Sequence, residues 1–143
     1  MSEHVLVEIS GPVMALRLNR PDKKNALTHA MYSALADALE RAAADESIRV
    51  ATVLGSGGSF TSGNDLKDFM ETPPVGADQP VFRFINAIAS FPKVLIAGVT
   101  GPAVGIGTTM LLHCDLTVAT GSALFHMPFV DLGLVPEAAS SLL

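Results

Sequence analysis

Short runs of apolar, mostly branched residues alternate in this chain with stretches whose apolar residues recur at helical spacing. The runs lie at 50–54, 93–99 and 116–119, with a shorter one at 124–126. Uniformly apolar runs of this length predict strands of a parallel sheet that is covered on both faces. Strands that alternate with helices in this way predict an α/β domain.

The first 44 residues give the most detailed local prediction. Residues 5–9 and 13–18 predict two strands joined by a hairpin turn at 10–12, where glycine and proline interrupt the apolar pattern. A helix is predicted over 29–44 because its apolar residues form one stripe, and Thr28 is placed to cap it.

Shorter helices are predicted between the later strands, one from near Asn64 and one over 107–113. A further helix is predicted from apolar residues that share one stripe: Phe82, Ile85, Ile88 and Ala89. The stretch 72–80, which contains three prolines and a glycine, predicts an irregular connection.

The composition limits the classes of function. With 143 residues, of which 49% are hydrophobic, the chain can form one domain with a substantial core, assigned to residues 1–143. The net charge of −5 disfavours a nucleic-acid partner, and no apolar run approaches the roughly 20 residues of a membrane-spanning helix. The single cysteine, Cys114, allows neither an internal disulfide nor a cysteine-rich metal site, so we expect a cytoplasmic protein without a bound metal.

Two glycine-containing stretches, at 62–66 and 101–107, lie where apolar runs break and helices begin. A backbone N–H can point outward at such a break, since the first N–H groups of a helix have no acceptor inside the helix. Two N–H groups from separate loops, aimed at one point, stabilise an oxygen atom that carries negative charge. The pair of stretches therefore predicts an oxyanion site.

One carboxylate, Glu137, lies in the apolar segment 132–137. A carboxylate among apolar residues beside an oxyanion site indicates proton transfer next to a carbonyl group. Glu137 also fits an ordinary first-turn position of a helix that starts after Pro136. Asp131 is the nearest competing acid, whereas Asp65 fits a helix start better than a base. The apolar residues expected to line the site and exclude water are Phe129, Leu132, Leu134 and Val135.

Four short segments carry a resemblance to a known family: 18–27, 60–66, 101–107 and 114–115. In order and spacing they resemble the crotonase superfamily, also called the enoyl-CoA hydratase/isomerase family. Within it, Ser-Gly-Asn-Asp-Leu at 62–66 and the segment that ends at Glu137 are most similar to the Δ3,Δ2-enoyl-CoA isomerases.

The resemblance implies a spiral of stacked ββα units, with the C-terminal helical part missing from this chain, and assembly as trimers or dimers of trimers. It implies an acyl-CoA thioester as substrate, with no cofactor besides the coenzyme A of the substrate itself. It also implies that the backbone N–H groups of Asn64 and Ile106 bind the thioester oxygen. Around them, the substrate-binding residues that it implies are Ser62, Gly63, Asp65 and Leu66.

A basic cluster offers a second contact with such a substrate. Arg20, Lys23 and Lys24 form the densest positive cluster of this acidic chain. Because coenzyme A carries phosphates, we expect one or more of these side chains, Lys23 and Lys24 first, to attract its nucleotide end.

Two positions separate hydration from isomerisation. Hydratase members of the family use two carboxylates, which would fall at Thr109 and Phe129 of this chain. Neither side chain is a base near neutral pH, so the resemblance leaves Glu137 as the single acid/base of an isomerase that converts 3-enoyl-CoA to 2-enoyl-CoA in lipid metabolism. Two alternatives stay open: another crotonase-type reaction, such as hydration or thioester hydrolysis, and a truncated acyl-CoA-binding or assembly module without activity.

Overall fold

An antiparallel hairpin begins the fold. Strands β1 (Val5–Ser10) and β2 (Val13–Leu18) pair along their full length, and the turn between them contains Gly11 with a φ of +54°. The computed structural model describes residues 3–73, 79–136 and 138. The predicted hairpin is confirmed.

Helix α1 (His29–Ala44) has the predicted bounds. Its first turn is capped by Thr28, whose Oγ1 accepts a hydrogen bond from the Met31 N–H at 3.3 Å. The predicted stripe faces the core, since Met31, Leu35 and Leu39 are fully buried.

The remaining elements are, in chain order, β3 (Val50–Gly55), α2 (Leu66–Glu71), α3 (Pro80–Ala89), β4 (Val94–Val99), β5 (Pro102–Val104), α4 (Ile106–Thr109), β6 (Leu116–Ala119) and β7 (Leu124–His126). Short 3-10 turns lie at Pro21–Lys23, Met110–His113 and Val130–Leu132.

The strands form two sheets that the chain visits in turn. The larger sheet has the order β1-β2-β3-β4-β6, in which every neighbouring pair after the first hairpin is parallel. β5 and β7 form a second, parallel ladder, and isolated parallel bridges join Leu27 to Asn64 and Thr61 to Ala103. Successive circuits of the chain therefore add strands to the large sheet and short pairings beside it, as expected for the predicted spiral of ββα units.

Burial differs between the two faces of the large sheet. Inward residues of β2, β3 and β4, such as Leu16, Ala51 and Leu95, pack with α1 and α3 in one core. The alternate residues are half-buried or exposed, and all four residues of β6 are exposed. The prediction that both faces are covered is wrong for the described residues, because α1 and α3 both pack on the inner face.

Three further predictions need correction. Strand β5 lies within the stretch interpreted as a glycine break, since its three residues find their partners in β7, about twenty positions later. In α3, the buried face consists of Val81, Phe84 and Ile88, whereas Phe82 is 40% exposed. The helix predicted over 107–113 begins one residue earlier and consists of α4 followed by a 3-10 turn.

Within the described residues, the helices are too short or too polar to cross a bilayer.

Candidate active site

A cavity of about 350 Å³ lies between the two predicted loops. Its walls are formed by Ser62, Gly63, Asn64 and Leu66 on one side, by Val104, Gly105 and Ile106 on another, and by Pro128, Phe129, Leu132 and Leu134. The structure thus brings together most of the residues that the sequence assigned to the site, in a mainly apolar pocket.

The backbone around Asn64 is held from one side. The Leu27 N–H donates to the Gly63 carbonyl at 2.8 Å, and the Asp65 N–H donates to the Leu27 carbonyl at 2.8 Å. The peptide unit between Gly63 and Asn64 contains that carbonyl and the Asn64 N–H, which point in opposite directions across a planar trans peptide. The Asn64 N–H therefore points away from Leu27.

The same argument fixes the direction of the Ile106 N–H. The Gly105 carbonyl accepts hydrogen bonds from the N–H groups of Thr108 and Thr109, at 2.9 and 3.0 Å, and so points into α4. The Ile106 N–H belongs to that peptide unit and points the other way, out of the N-terminal end of α4, which has no side-chain cap. Gly105 makes the turn from β5 with φ +58° and ψ −121°, a conformation that suits glycine.

The two loops are in direct contact. The Val104 N–H donates to the Thr61 carbonyl at 3.0 Å. A Cβ atom added to Gly63 would lie 2.9 Å from the Val104 carbonyl oxygen, and the φ of Gly63 is +89°. Glycine is therefore required at 63 both by its conformation and by the approach of the second loop.

Asp65 is engaged in structural bonds. Its Oδ1 accepts from the N–H groups of Lys67 and Asp68 at 3.1 Å, which caps α2, and its Oδ2 lies 2.6 Å from Arg20 Nη1. The hydrogen bond from Arg20, followed by those at the helix start, holds the pKa of the Asp65 carboxyl below its usual range. The prediction that Asp65 is a helix-start carboxylate is confirmed.

The basic cluster divides into two parts. Arg20 is largely buried and donates to Asp65 and to the Ala26 carbonyl, which leaves Lys23 and Lys24 as the members of the cluster that face solvent. The Lys23 carbonyl accepts a hydrogen bond from Ser62 Oγ at 3.3 Å, and the Lys24 carbonyl accepts one from the Ser62 N–H at 2.9 Å. The two lysines are thereby anchored at the Ser62 edge of the cavity.

Besides Asp65, three acidic residues lie in the later part of the chain. Glu137 lies outside the described residues. Asp131 is exposed on the turn after Phe129 and does not line the cavity. Asp115 accepts from the Leu95 N–H at 2.8 Å and ties β6 to β4. Among the described cavity-lining residues there is accordingly no carboxylate.

The predicted apolar lining is confirmed at three positions and wrong at one. Phe129, Leu132 and Leu134 line the cavity, whereas Val135 is 85% exposed. Thr109, the other position at which hydratases carry an acid, is fully buried beside Ile106 rather than in the cavity wall. Ala138 is buried, and its carbonyl accepts a hydrogen bond from His113 Nε2 at 2.5 Å if that nitrogen carries the proton.

Sequence reasoning missed the side chains that support the first loop. Tyr32 Oη donates to Asn64 Oδ1 at 2.5 Å, and Asp68 Oδ2 contacts both the backbone N–H and the ring Nδ1 of His29, at 2.7 and 2.5 Å. Tyr32 is the single tyrosine of the chain, but its partner lies 32 positions later, and no local pattern announces the pair. In the described ranges, no cluster of three His, Cys, Asp or Glu side chains could hold a metal ion.

The sequence of this chain matches a known protein family over most of its length. A sequence profile of the enoyl-CoA hydratase/isomerase family matches residues 8–143. The chain belongs to the enoyl-CoA hydratase/isomerase family, and the resemblance read from its sequence is confirmed.

Individual relatives agree with this assignment. The chain is 39% identical to human enoyl-CoA delta isomerase 2, over 97% of this chain and 37% of the relative. It is 36% identical to 1,2-epoxyphenylacetyl-CoA isomerase of Escherichia coli, over 99% of this chain and 56% of the relative. The structure of Pseudomonas aeruginosa OdaA superposes with a TM-score of 0.96 at 56% identity, over 99% of this chain and 57% of that one.

These relatives are longer and chemically diverse. The chain spans between about a third and three fifths of the length of the three proteins just named. Further relatives of 37% and 33% identity are named as a hydratase and as a dehalogenase. The comparisons therefore show a family of acyl-CoA enzymes, and the particular reaction has to be argued from the site.

Proposed function

We propose that this chain binds an acyl-CoA thioester in the cavity and forms the oxyanion site of an isomerase that converts 3-enoyl-CoA to 2-enoyl-CoA. One observation carries the proposal. Two peptide units, Gly63–Asn64 and Gly105–Ile106, belong to residues that line the same apolar cavity. In each unit the carbonyl is held by hydrogen bonds, so the N–H of Asn64 or of Ile106 points in the opposite direction. Two such donors suit a thioester oxygen that gains negative charge.

The reaction needs this charge stabilisation at one step. A base removes a proton from C2 of the acyl chain, and the electron pair moves to the thioester oxygen to give an enolate. A proton returned to C4 then draws the electrons back and leaves the double bond between C2 and C3. Each preorganised donor to the oxygen contributes about 3–4 kcal/mol to such a transition state.

Glu137 is the proposed acid/base for both proton transfers. In sequence it stands between Leu134, which lines the cavity, and Ala138, which is buried in the core. Phe129 lies in the cavity wall and Thr109 is buried, so the described residues that line the cavity offer no second carboxylate to activate water, which favours isomerisation over hydration. Isomerisation returns its proton to the substrate, so a single carboxylate suffices.

The coenzyme A end is proposed to meet Lys23 and Lys24. Both are exposed and anchored at the Ser62 edge of the cavity, where the nucleotide would leave it.

We further propose that copies of the chain associate, as trimers or dimers of trimers. Large apolar side chains that support this are exposed on β6, β7 and the segment after them: Leu116, Val118, Leu124, Phe125, Met127 and Val130.

The test is an assay of the Glu137→Gln variant with a 3-enoyl-CoA, in which products are separated and weighed by mass spectrometry. We expect wild-type protein to give a 2-enoyl-CoA of unchanged mass, and the variant to lose this activity by about a thousandfold while still binding a saturated acyl-CoA. Asp131→Asn is the matched control and should keep full activity. A wild-type product heavier by one water would show hydration instead, and full activity in the Glu137 variant would remove its assigned role.

A further inference from the structure

We propose that the Tyr32 hydroxyl is a positioning group that holds the Asn64 peptide in the orientation in which its N–H faces the thioester oxygen. The inference rests on the proposed function of the cavity. It assigns to α1, which contributes no cavity-lining residue, a part in the geometry of the site.

Tyr32 is placed as a rigid support. The side chain is fully buried, and its ring packs against Phe84 and Phe69, with ring centroids 5.4 and 6.1 Å apart. Phenylalanine would provide the same packing, and a buried hydroxyl costs free energy unless it is hydrogen-bonded. The Tyr32 hydroxyl donates to Asn64 Oδ1 at 2.5 Å, so it joins the core to the oxyanion loop.

Backbone bonds hold the loop on each side of Asn64. Leu27 binds the Gly63 carbonyl and the Asp65 N–H, and the Gly63 N–H donates to Thr61 Oγ1 at 3.1 Å. These attachments lie along the backbone, whereas the bond from Tyr32 to Asn64 Oδ1 attaches the loop through a side chain, to one side of the backbone. That bond therefore resists a turn of the peptide that carries the Asn64 N–H.

If the hydroxyl had only a structural role, its removal would lower folding stability and leave the chemistry of the site unchanged. The two roles are separated by the infrared stretching frequency of the thioester carbonyl in a bound acyl-CoA that is labelled with ¹³C at that carbon. Hydrogen bonds from an oxyanion site polarise the carbonyl and lower this frequency. The measurement does not depend on turnover.

We expect a lowered carbonyl frequency in the wild-type complex and a smaller shift with Tyr32→Phe. The turnover number should fall about tenfold in this variant, with KM changed less than about twofold, because the contact orients a donor rather than binding substrate. Asn64→Ala removes the same contact from its other end, on the loop rather than in the core. It should reproduce both effects, and adding Tyr32→Phe to it should cause no further loss.

Ile48→Val is the matched control, since it trims a fully buried side chain that does not line the cavity. It should lower the melting temperature and leave the carbonyl frequency unchanged. A wild-type shift that persists undiminished in both Tyr32→Phe and Asn64→Ala overturns the positioning role while the proposed function stands. The absence of any shift in the wild-type complex overturns the oxyanion site itself, and the positioning role with it.

Discussion

The loop at 62–66 and the loop at 104–107 face the same cavity, but different bonds hold them in place. Side chains from distant elements brace the first loop, through the pairs of Tyr32 with Asn64 and of Arg20 with Asp65. At the second loop the Gly105 N–H donates to the His126 carbonyl at 2.8 Å, and next to the loop the Thr108 hydroxyl of α4 donates to the Ala103 carbonyl of β5 at 2.5 Å.

The difference shows two ways of orienting a backbone donor. In the first loop, substitution of a bracing side chain can loosen the donor without altering its peptide unit. In the second, the conformation of Gly105 sets the donor direction, so a change of backbone there acts on the N–H itself. The first loop should therefore respond to substitution in graded steps, and the second abruptly.

The largest effect is expected from Gly105→Ala. The φ of +58° and ψ of −121° at this position disfavour any residue with a Cβ, so the peptide that carries the Ile106 N–H must turn. We predict a loss of kcat of about a hundredfold, comparable with removal of one oxyanion donor. Gly11→Ala, at φ +54° in the hairpin and outside the cavity lining, is the matched control. Equal activity in the two variants would contradict the assignment of Ile106.

The next largest effect is expected from substitution of Asp65, which separates the contribution of the α2 cap from that of the ion pair with Arg20. Asp65→Ala removes both the cap of α2 and the ion pair with Arg20, and should lower the free energy of unfolding by about 2–3 kcal/mol. Asp65→Asn keeps a capping oxygen and should cost about half as much. Chemical denaturation measures both, and a larger loss in the asparagine variant would contradict this division.

The same carboxyl predicts a pH dependence. Its pKa in the folded protein is lower than the 3.8 that is usual for an unfolded chain. The stability it provides is therefore fully present above about pH 4 and is lost as the pH falls through the lower folded pKa. The difference between wild type and Asp65→Asn should shrink on acidification below pH 4, and a difference that grows there would contradict the ion pair.

A smaller effect is expected from the coenzyme A contact. Replacing Lys23 and Lys24 together with alanine should raise KM about fivefold, leave kcat nearly unchanged, and lose its effect at high salt, because exposed charges are screened. Arg41→Ala with Arg49→Ala removes the same charge from exposed positions elsewhere and serves as the control. An unchanged KM in the lysine variant would place the nucleotide elsewhere.

The smallest effect is expected in the rate at which Cys114 is alkylated, which reports how a substitution in either loop changes the access of reagents to this thiol. This thiol follows the 3-10 turn after α4, and burial together with Asp115 raises its pKa to about 11. Alkylation should therefore be slow at pH 7 and quicken as the pH rises toward 11. Gly105→Ala should speed labelling about threefold by loosening the adjacent turn, whereas Asp65→Asn should not. Equal acceleration by both variants would show that the two loops open together.

Local patterns predicted much of the fold. The bounds of β2 and α1 follow from alternation, helical spacing and the Thr28 cap, all of which act within a few residues. Strand β5 was missed because three residues beside a glycine turn have little pattern of their own and depend on a partner in β7. The exposure of β6 was not predicted either. An apolar run indicates that a strand favours burial, but it does not show whether another element of the chain covers it.

The site divides in the same way. The glycines at 63 and 105 mark breaks that are visible in the sequence, and they predicted the two loops that meet at the cavity. The partners of Asp65 and Asn64 lie 45 and 32 positions away, so the spiral has to form before either contact exists. The sequence groups Arg20 with Lys23 and Lys24 by charge alone, and only the fold shows that Arg20 is paired with Asp65.

The most direct test of the central claim is a crystal structure of the protein with a saturated acyl-CoA bound. The account predicts that the thioester oxygen lies about 3 Å from both the Asn64 nitrogen and the Ile106 nitrogen. A thioester oxygen that contacts neither nitrogen, in a complex where the acyl chain occupies the cavity, would contradict it.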